Sequence, residues 1–317
     1  MELNEMTKIL VTGHTGLAGS AIYSDLRESY ENVFGLSSAI LDLRDRAKVF
    51  SYISELKPTI IVNAAAIVGG ILANRDFPVK FLSENLQIQT NLLDASHNAD
   101  VEHFIFLGSS CIYPRQSPQP IIEERILSGP LEKSNEAYAI AKIAGLKLLE
   151  AYNEEYGRTW LSLMPSSLYG PFDTFDMKNG HVIPSLFAKM EYARVNGLSS
   201  VELWGTGSPL REFLHSQDLA AAVRVSIESR SQYSTLNVGS GVNISIHELA
   251  KLIAKVVGYD GEISYNSKFP DGTHEKLMDS SKIRALGWQP QISLESGLRQ
   301  TYSWYLENGG ISIRKNK

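Results

Sequence analysis

The sequence predicts an α/β protein, a doubly wound parallel sheet followed by a smaller, discontinuous α/β region. Three observations predict it. Short apolar, β-branched runs alternate with helical spacing through the first half of the 317 residues. A glycine-rich turn joins the first strand directly to a helix. Small or hydroxylic residues follow three strand ends, the side of a parallel sheet on which ligands bind.

In order, Lys8–Thr12 reads as a buried strand, and Gly13-His-Thr15-Gly16-Leu17-Ala-Gly19 follows at once. Ile22 and Leu26 give Ser20–Ser29 the period of a helix. Glycines there let the backbone approach a pyrophosphate, which the helix N-terminus attracts. The GxxGxxG spacing differs from the commonest dinucleotide fingerprint, GxGxxG. Glu31–Leu36 is the second strand, and Leu41-Asp42-Leu43-Arg44-Asp45 opens a helix through Leu56 with Asp42 or Asp45 as its cap. Thr59–Asn63 is a third strand, ending in Ala64, Ala65 and Ala66, where an adenine or a phosphate can lie close. A helix over Phe81–Ala95, a strand at His103–Leu107 and the segment Gly108–Pro114 come next. Ser134 or Asn135 then caps a helix carrying Tyr138 and Lys142, and Trp160–Met164 is the next strand.

Beyond Pro165 the alternation loosens. Ser167–Pro171 reads as a turn, and His181-Val-Ile-Pro leads into a helix bearing Lys189. Val201–Gly205 is a short strand, Leu236–Gly241 a strand that rejoins the main sheet, His247–Val257 a helix and Lys268–Thr273 a polar loop. The expected division is a nucleotide-binding, Rossmann-like unit over 1–165 with a return near 212–242. Residues 166–317 form mainly the substrate-binding part, interleaved with it.

Composition narrows the function classes. The chain is 43% apolar and 21% charged with net charge −5, which argues against nucleic acid and anionic membranes as partners. Arg314, Lys315 and Lys317 read as a solvated tail. The N-terminus has no signal-peptide pattern and no apolar run is long enough for a bilayer, so the cytoplasm is the expected compartment. One cysteine, Cys111, excludes an internal disulfide. Nothing indicates a metal site.

Tyr138 and Lys142 are four apart and share a helix face. A lysine there favours the phenolate and is expected to lower the tyrosine pKa from about 10, as proton exchange with a ketone or an alcohol requires. YxxxK alone occurs in many helices by chance. With Ser109 and the glycine turn on one nucleotide-binding fold, however, the chain resembles the extended short-chain dehydrogenase/reductases. Gly-Ser-Ser-Cys-Ile-Tyr-Pro (108–114), Tyr-Ala-Ile-Ala-Lys-Ile-Ala-Gly (138–145), His-Val-Ile-Pro (181–184), Arg-Glu-Phe-Leu-His (211–215) and Pro-Asp-Gly-Thr (270–273) resemble, more narrowly, the GDP-L-fucose synthase family.

That resemblance covers nearly the whole chain. It implies epimerisation at C-3 and C-5 and reduction at C-4 of a GDP-4-keto-6-deoxy-mannose-type sugar. The matching catalytic residues are Ser109, Cys111, Tyr138, Lys142 and His181, with Cys111 as base and His181 as acid. A nearby cation or strand-end N–H groups would lower the thiol pKa. Ser109 and Tyr138 would hold the C-4 oxyanion. For the cofactor, the resemblance implies contacts from Gly13, Thr15, Gly16, Leu17 and Gly19. Further contacts fall to Ser37, Ser38, Asp42, Leu43, Ala64, Ala65 and Ala66, and to Tyr138, Lys142, Pro165, Ser167, Leu168 and His181. For the GDP-sugar, it implies Ser110, Lys189, Trp204, Arg211 and Asp271. Trp204 suits a core position equally well. A homodimer through the helix bearing Tyr138 is expected by the same analogy.

Two departures stand out. Bacterial members of the family carry an arginine at the position of Thr15 and basic residues where this chain has Leu36-Ser37-Ser38-Ala39. Those cations bind the 2′-phosphate of NADP. No acidic residue ends the second strand to hold a free ribose 2′-hydroxyl either, so NADPH is the expected cofactor, through Ser37, Ser38 and Arg44, with NADH not excluded. The second departure is Ser167, Phe172 and Thr174, which stand where the family has polar groups near cofactor and sugar. They open an alternative: a C-4 reductase, with or without epimerisation, of a GDP-deoxyheptose or GDP-dideoxyhexose.

Overall fold

The computed structural model describes residues 7–229, 233–269 and 271–310. In chain order the first elements are β1 (Ile9–Thr12), α1 (Leu17–Ser29), β2 (Val33–Leu36), α2 (Arg46–Leu56) and β3 (Ile60–Asn63). Then come α3 (Ile71–Asp76), α4 (Asn85–Asn98), β4 (His103–Leu107), α5 (Glu136–Tyr156) and β5 (Leu161–Pro165). The second half holds β6 (Ser167–Tyr169), α6 (Val182–Val195), β7 (Ser200–Trp204), β8 (Leu210–His215), α7 (Ser216–Glu228) and β9 (Thr235–Val238). It closes with β10 (Asn243–Ser245), α8 (Ile246–Val257), β11 (Glu262–Asn266), β12 (Glu275–Lys276), α9 (Ser281–Ala285) and α10 (Leu294–Glu307).

Six strands form one parallel sheet in the order β2-β1-β3-β4-β5-β9. Alternation along each strand explains why helices cover both faces. Leu10, Ile61, Phe104 and Phe106 point one way and meet Val49 and Ile53 of α2, Leu92 of α4 and Leu146 of α5. Ile9, Val11, Val62, Ile105 and Leu107 point the other way, onto Ile22 and Leu26 of α1 and Leu219 and Val223 of α7. The expected doubly wound α/β architecture is therefore present. A third core joins α6, α8 and α10 around Phe187, Leu249, Ile253 and Leu298. Two small sheets accompany it: β6, β10 and β12 all pair with β8, and β11 pairs with β7.

Several elements differ from the reading of the sequence. Ser167–Tyr169 is a strand beside Phe213–His215 instead of a turn. The second helix starts at Arg46, because Asp45, not Asp42, caps it by accepting from the Lys48 amide at 3.2 Å. Asn135 stands at the N-cap of α5 but makes no side-chain cap, and Ser134 spends its hydroxyl on Glu132. The helix expected over Phe81–Ala95 begins as a π turn at Lys80–Glu84 before settling into α4. α3, β8, β10, β11, β12, α7, α9 and α10 are absent from that reading. The basic tail at 314–317 lies outside the described residues.

Candidate active site

The turn after β1 is built for close approach. Gly13 has φ +70°, and a Cβ there would lie 2.9 Å from the Ala64 carbonyl oxygen. A Cβ on Gly19 would overlap the Gly13 carbonyl oxygen. Gly16 begins α1 without a side-chain cap, and Thr15 and Gly16 are exposed, so no capping side chain occupies the first turn of the helix. Leu17 opens the helix itself. Next to the turn, Asn63 Oδ1 accepts from Thr12 Oγ1 at 2.9 Å and from the Ala65 amide at 3.1 Å, while its buried Nδ2 has no partner among the described residues. Ala64 and Ala66 are part-buried beside it. A glycine cradle, an uncapped helix N-terminus and an orphaned donor fit the pyrophosphate of a dinucleotide.

The residues after β2 bear on the ribose end. Ser37 is half-buried and Ser38 exposed. Arg44 does not fold back toward them. It forks onto Asp42 at 2.8 Å and reaches Glu84 at 2.8 Å, and that guanidinium pulls the Asp42 carboxyl down to about 2. Leu43 turns into the core, and its carbonyl accepts from Asn91 Nδ2 at 2.9 Å. Pro165 ends β5 fully buried, with Ser167 and Leu168 half-buried in β6.

α5 delivers Tyr138 and Lys142 to the end of β4. Lys142 is 3% exposed and donates to the Leu107 carbonyl at 2.7 Å, with its Nζ 4.8 Å from the Phe106 ring centroid and 5.8 Å from that of Tyr138. Burial pulls this lysine down to about 8, with the negative charge of a Cys111 thiolate opposing. The expected drop in the Tyr138 pKa is absent: burial, with the Cys111 charge adding to it, pushes the phenol well above its ordinary value. The lysine does not offset this: its ammonium lies over the ring and bonds the strand carbonyl.

Ser109 is extended (φ −165°), and its hydroxyl accepts from the Cys111 amide at 3.3 Å, closing a one-turn 3₁₀ segment that buries Ser110, Cys111 and Ile112. Burial pushes the Cys111 thiol up, while Lys276, a Ser109 hydrogen bond and Lys142 act to lower it. Lys276, on β12, escaped the reading of the sequence. β12 pairs with Leu210 and Arg211 of β8. Burial depresses the Lys276 pKa, against which the Cys111 charge works.

Around this centre, His181 stands at the N-cap of α6 with Nδ1 3.5 Å from Oδ1 of Asp173. Burial lowers its pKa, but the Asp173 carboxylate outweighs that, and the net shift is upward. Lys189 Nζ lies 4.9 Å from the Trp204 ring centroid, and Trp204 stacks on Phe269 at 4.8 Å and 18°. Arg211 donates to the carbonyls of Leu210 at 2.8 Å and Asp271 at 3.2 Å. Asp271 already accepts from the Thr206 amide at 2.7 Å and hydroxyl at 2.9 Å, holding the loop after β7.

A glycine cradle, a Tyr–Lys helix and a strand-end serine on a parallel sheet define a nucleotide-dependent oxidoreductase or epimerase. Residues 9–239 match the NAD dependent epimerase/dehydratase family, and the chain is an enzyme belonging to it. It is 49% identical over 306 residues to GDP-L-fucose synthase 1 of Arabidopsis thaliana, covering 96% of this chain and 95% of that protein. Among solved structures, a GDP-6-OMe-4-keto-L-xylo-heptose reductase from C. jejuni superposes with a TM-score of 0.91 at 31% identity, covering 97% of this chain and 99% of that one. A GDP-L-fucose synthetase from Naegleria fowleri bound to NADP superposes at 0.85 and 30% identity, covering 97% and 96%.

Proposed function

We propose that the protein epimerises C-3 and C-5 and reduces C-4 of a GDP-4-keto-6-deoxy-mannose-type sugar with NADPH, giving GDP-L-fucose. The observation that carries this is one cluster: Cys111 interacts electrostatically with Tyr138, Lys142 and Lys276. A thiol base beside a phenol and two ammonium groups is what a ketone with acidic α-protons needs. The relatives' names and the NADP bound to the Naegleria protein support the substrate and the cofactor.

The C-4 ketone acidifies the protons at C-3 and C-5. Cys111, as thiolate, takes one of them: the C–H bond breaks, an S–H bond forms, and the electron pair moves onto the C-4 oxygen. Ser109 and Tyr138 hold that oxygen as donors. His181 then protonates the same carbon from the opposite face, which inverts it, and the cycle repeats at the second carbon. Bound NADPH supplies hydride to C-4. Tyr138 gives its proton to the C-4 oxygen, which its raised pKa permits because the alkoxide is the stronger base. Lys142 would hold the nicotinamide ribose. Gly13, Gly16 and Gly19 with the α1 amides would take the pyrophosphate, and Ser37 and Ser38 would bind the 2′-phosphate. Lys189, Trp204 and Arg211 take the GDP, and Ser110 lies beside the sugar.

We further take 1–165, with the return near 212–242, as the cofactor-binding unit, 166–317 as mainly the substrate unit, the homodimer as the assembly and the cytoplasm as the compartment. One reaction tests the main reading: GDP-4-keto-6-deoxy-D-mannose in D2O with NADPH, then with NADH. Deuterium at C-3 and C-5 of GDP-L-fucose with NADPH consumed is the expected result, and reduction without exchange would overturn the epimerase half. Phe172 and Thr174, together with the likeness to the heptose reductase, favour a second reading. It is C-4 reduction of another GDP-4-keto sugar, a GDP-deoxyheptose or a GDP-dideoxyhexose, and turnover of those sugars alone would select it.

A further inference from the structure

The loop between β6 and α6 is shaped around one carboxylate. Phe172 takes a left-handed φ of +67°, a conformation that bulky side chains avoid, and its ring rests against Trp304 at 4.9 Å. That turn sends the next residue, Asp173, inward: its side chain is 4% exposed. Oδ1 accepts from the Thr174 amide at 2.7 Å, which fixes the carboxylate, and lies 3.5 Å from His181 Nδ1. Oδ2 and His181 Nδ1 are both buried and have no hydrogen-bond partner among the described residues. A strained turn that buries a carboxylate against one imidazole is a costly arrangement for structure alone.

We infer that Asp173 is the positioning residue for His181, holding Nδ1 protonated and leaving Nε2 to face the sugar. The inference rests on the acid role proposed above for His181. To deliver a proton from Nε2, the imidazole must carry one on each nitrogen, and a buried carboxylate at Nδ1 stabilises that cation. In the step, the Nε2–H bond breaks and a C–H bond forms at C-3 or C-5 of the sugar. The lone pair stays on Nε2, and the Nδ1 proton remains facing Asp173. Solvent then returns a proton to Nε2, the nitrogen left free. Of the other charged groups nearby, Lys178 is exposed and the rest have partners of their own. Asp176 accepts from the Lys178 and Asn179 amides, and Arg75 and Asp76, on the helix whose N-terminal Gly70 bonds the Asn179 carbonyl, pair with each other. Asp173 is the one charged side chain among the described residues that acts on His181; Lys276 and Lys142 act on Cys111.

The test uses the full chain saturated with NADP+ and isotope-labelled histidine, with the His181 signal assigned from His181→Gln. In the unaltered protein the His181 midpoint should lie above its ordinary value of about 6.5. Asp173→Asn keeps the Thr174 acceptor and the side-chain volume but removes the charge, and should lower the midpoint by a unit or more. The same variant should lose ten-fold or more of deuterium exchange into GDP-4-keto-6-deoxy-D-mannose at pH 7.5, with KM little changed, and Asp173→Glu should recover part of it. An unmoved midpoint in Asp173→Asn overturns the inference, as does an unchanged exchange rate. If Asp173→Asn does not fold, Asp173→Glu decides: a raised midpoint supports the inference and an ordinary one overturns it. Failure of the unaltered protein to exchange deuterium condemns the sugar assignment instead, and the titration, which needs no sugar, still decides the role of Asp173.

Discussion

At the scale of residues, the site sets desolvation against charge, and charge decides only where a partner lies close. Lys142 shows the balance. Burial pulls it to about 8, so at neutral pH the folded protein holds an ammonium that the surroundings resist. The sign follows: a lysine depressed in the fold makes stability rise as pH climbs from about 8 toward its unfolded value of about 10.4. Lys142→Met should therefore abolish C-4 reduction, by 100-fold or more, while the melting temperature at pH 7 stays equal or rises. A fall of several degrees would instead mean that the bond to Leu107 outweighs the burial. Lys276 acts through Cys111. Removing its charge in Lys276→Met leaves burial less opposed, so the thiol pKa should rise and the exchange–pH profile should move to higher pH. At pH 7.5 the rate of C-3 and C-5 exchange should drop. An unshifted profile would remove Lys276 from the mechanism.

At the scale of elements, the glycine turn and the helix caps carry the sequence's local instructions. Gly19 packs so closely on the Gly13 carbonyl that no Cβ fits between α1 and β1. Gly19→Ala should cost about 1–3 kcal/mol of stability by overpacking, and NADPH affinity should fall at least ten-fold, read by a thermal melt and a fluorescence titration. Native affinity in that variant would show that the turn does not cradle the dinucleotide. α8 is a separate case, remote from the cofactor turn. Ser245 accepts from the Glu248 amide at 3.1 Å while Glu248 reaches back to the Ser245 amide at 3.2 Å, a reciprocal cap. Ser245→Ala should cost about 1 kcal/mol in a denaturant titration.

At the scale of the whole molecule, the main sheet is closed by a sequence-distant strand. β9 joins the main sheet beside β5, so the chain leaves that sheet at Pro165 and returns seventy residues later. Ile140, on the outer face of α5, is 43% exposed, and Val79 and Phe77 are exposed before α4. If the homodimer forms through α5 as proposed, Ile140→Glu should convert it to monomer in sedimentation velocity. A monomeric unaltered protein would defeat that assembly. Among the described residues no helix is long and apolar enough to cross a membrane.

The sequence by itself determined the parallel sheet and the glycine turn, because buried strands and glycine turns are local signals: a run of four β-branched residues or one Gly13 reads the same whatever surrounds it. The Ser109–Cys111 segment, Tyr138, Lys142 and His181 were also legible, through motifs. What only the tertiary structure decided was the environment of each. β12 is two residues long, too short for any periodicity, yet its pairing with β8 sets Lys276 where its charge reaches Cys111. Asp173 became significant only when the left-handed Phe172 turned it toward His181. The Tyr138 pKa moved opposite to the expectation from its lysine, because the fold buries the phenol and sends the lysine Nζ to the Leu107 carbonyl. Spacing along a helix gives proximity. The sign of a pKa shift depends on how much water the whole fold excludes, and that is a property of atoms far apart in the chain.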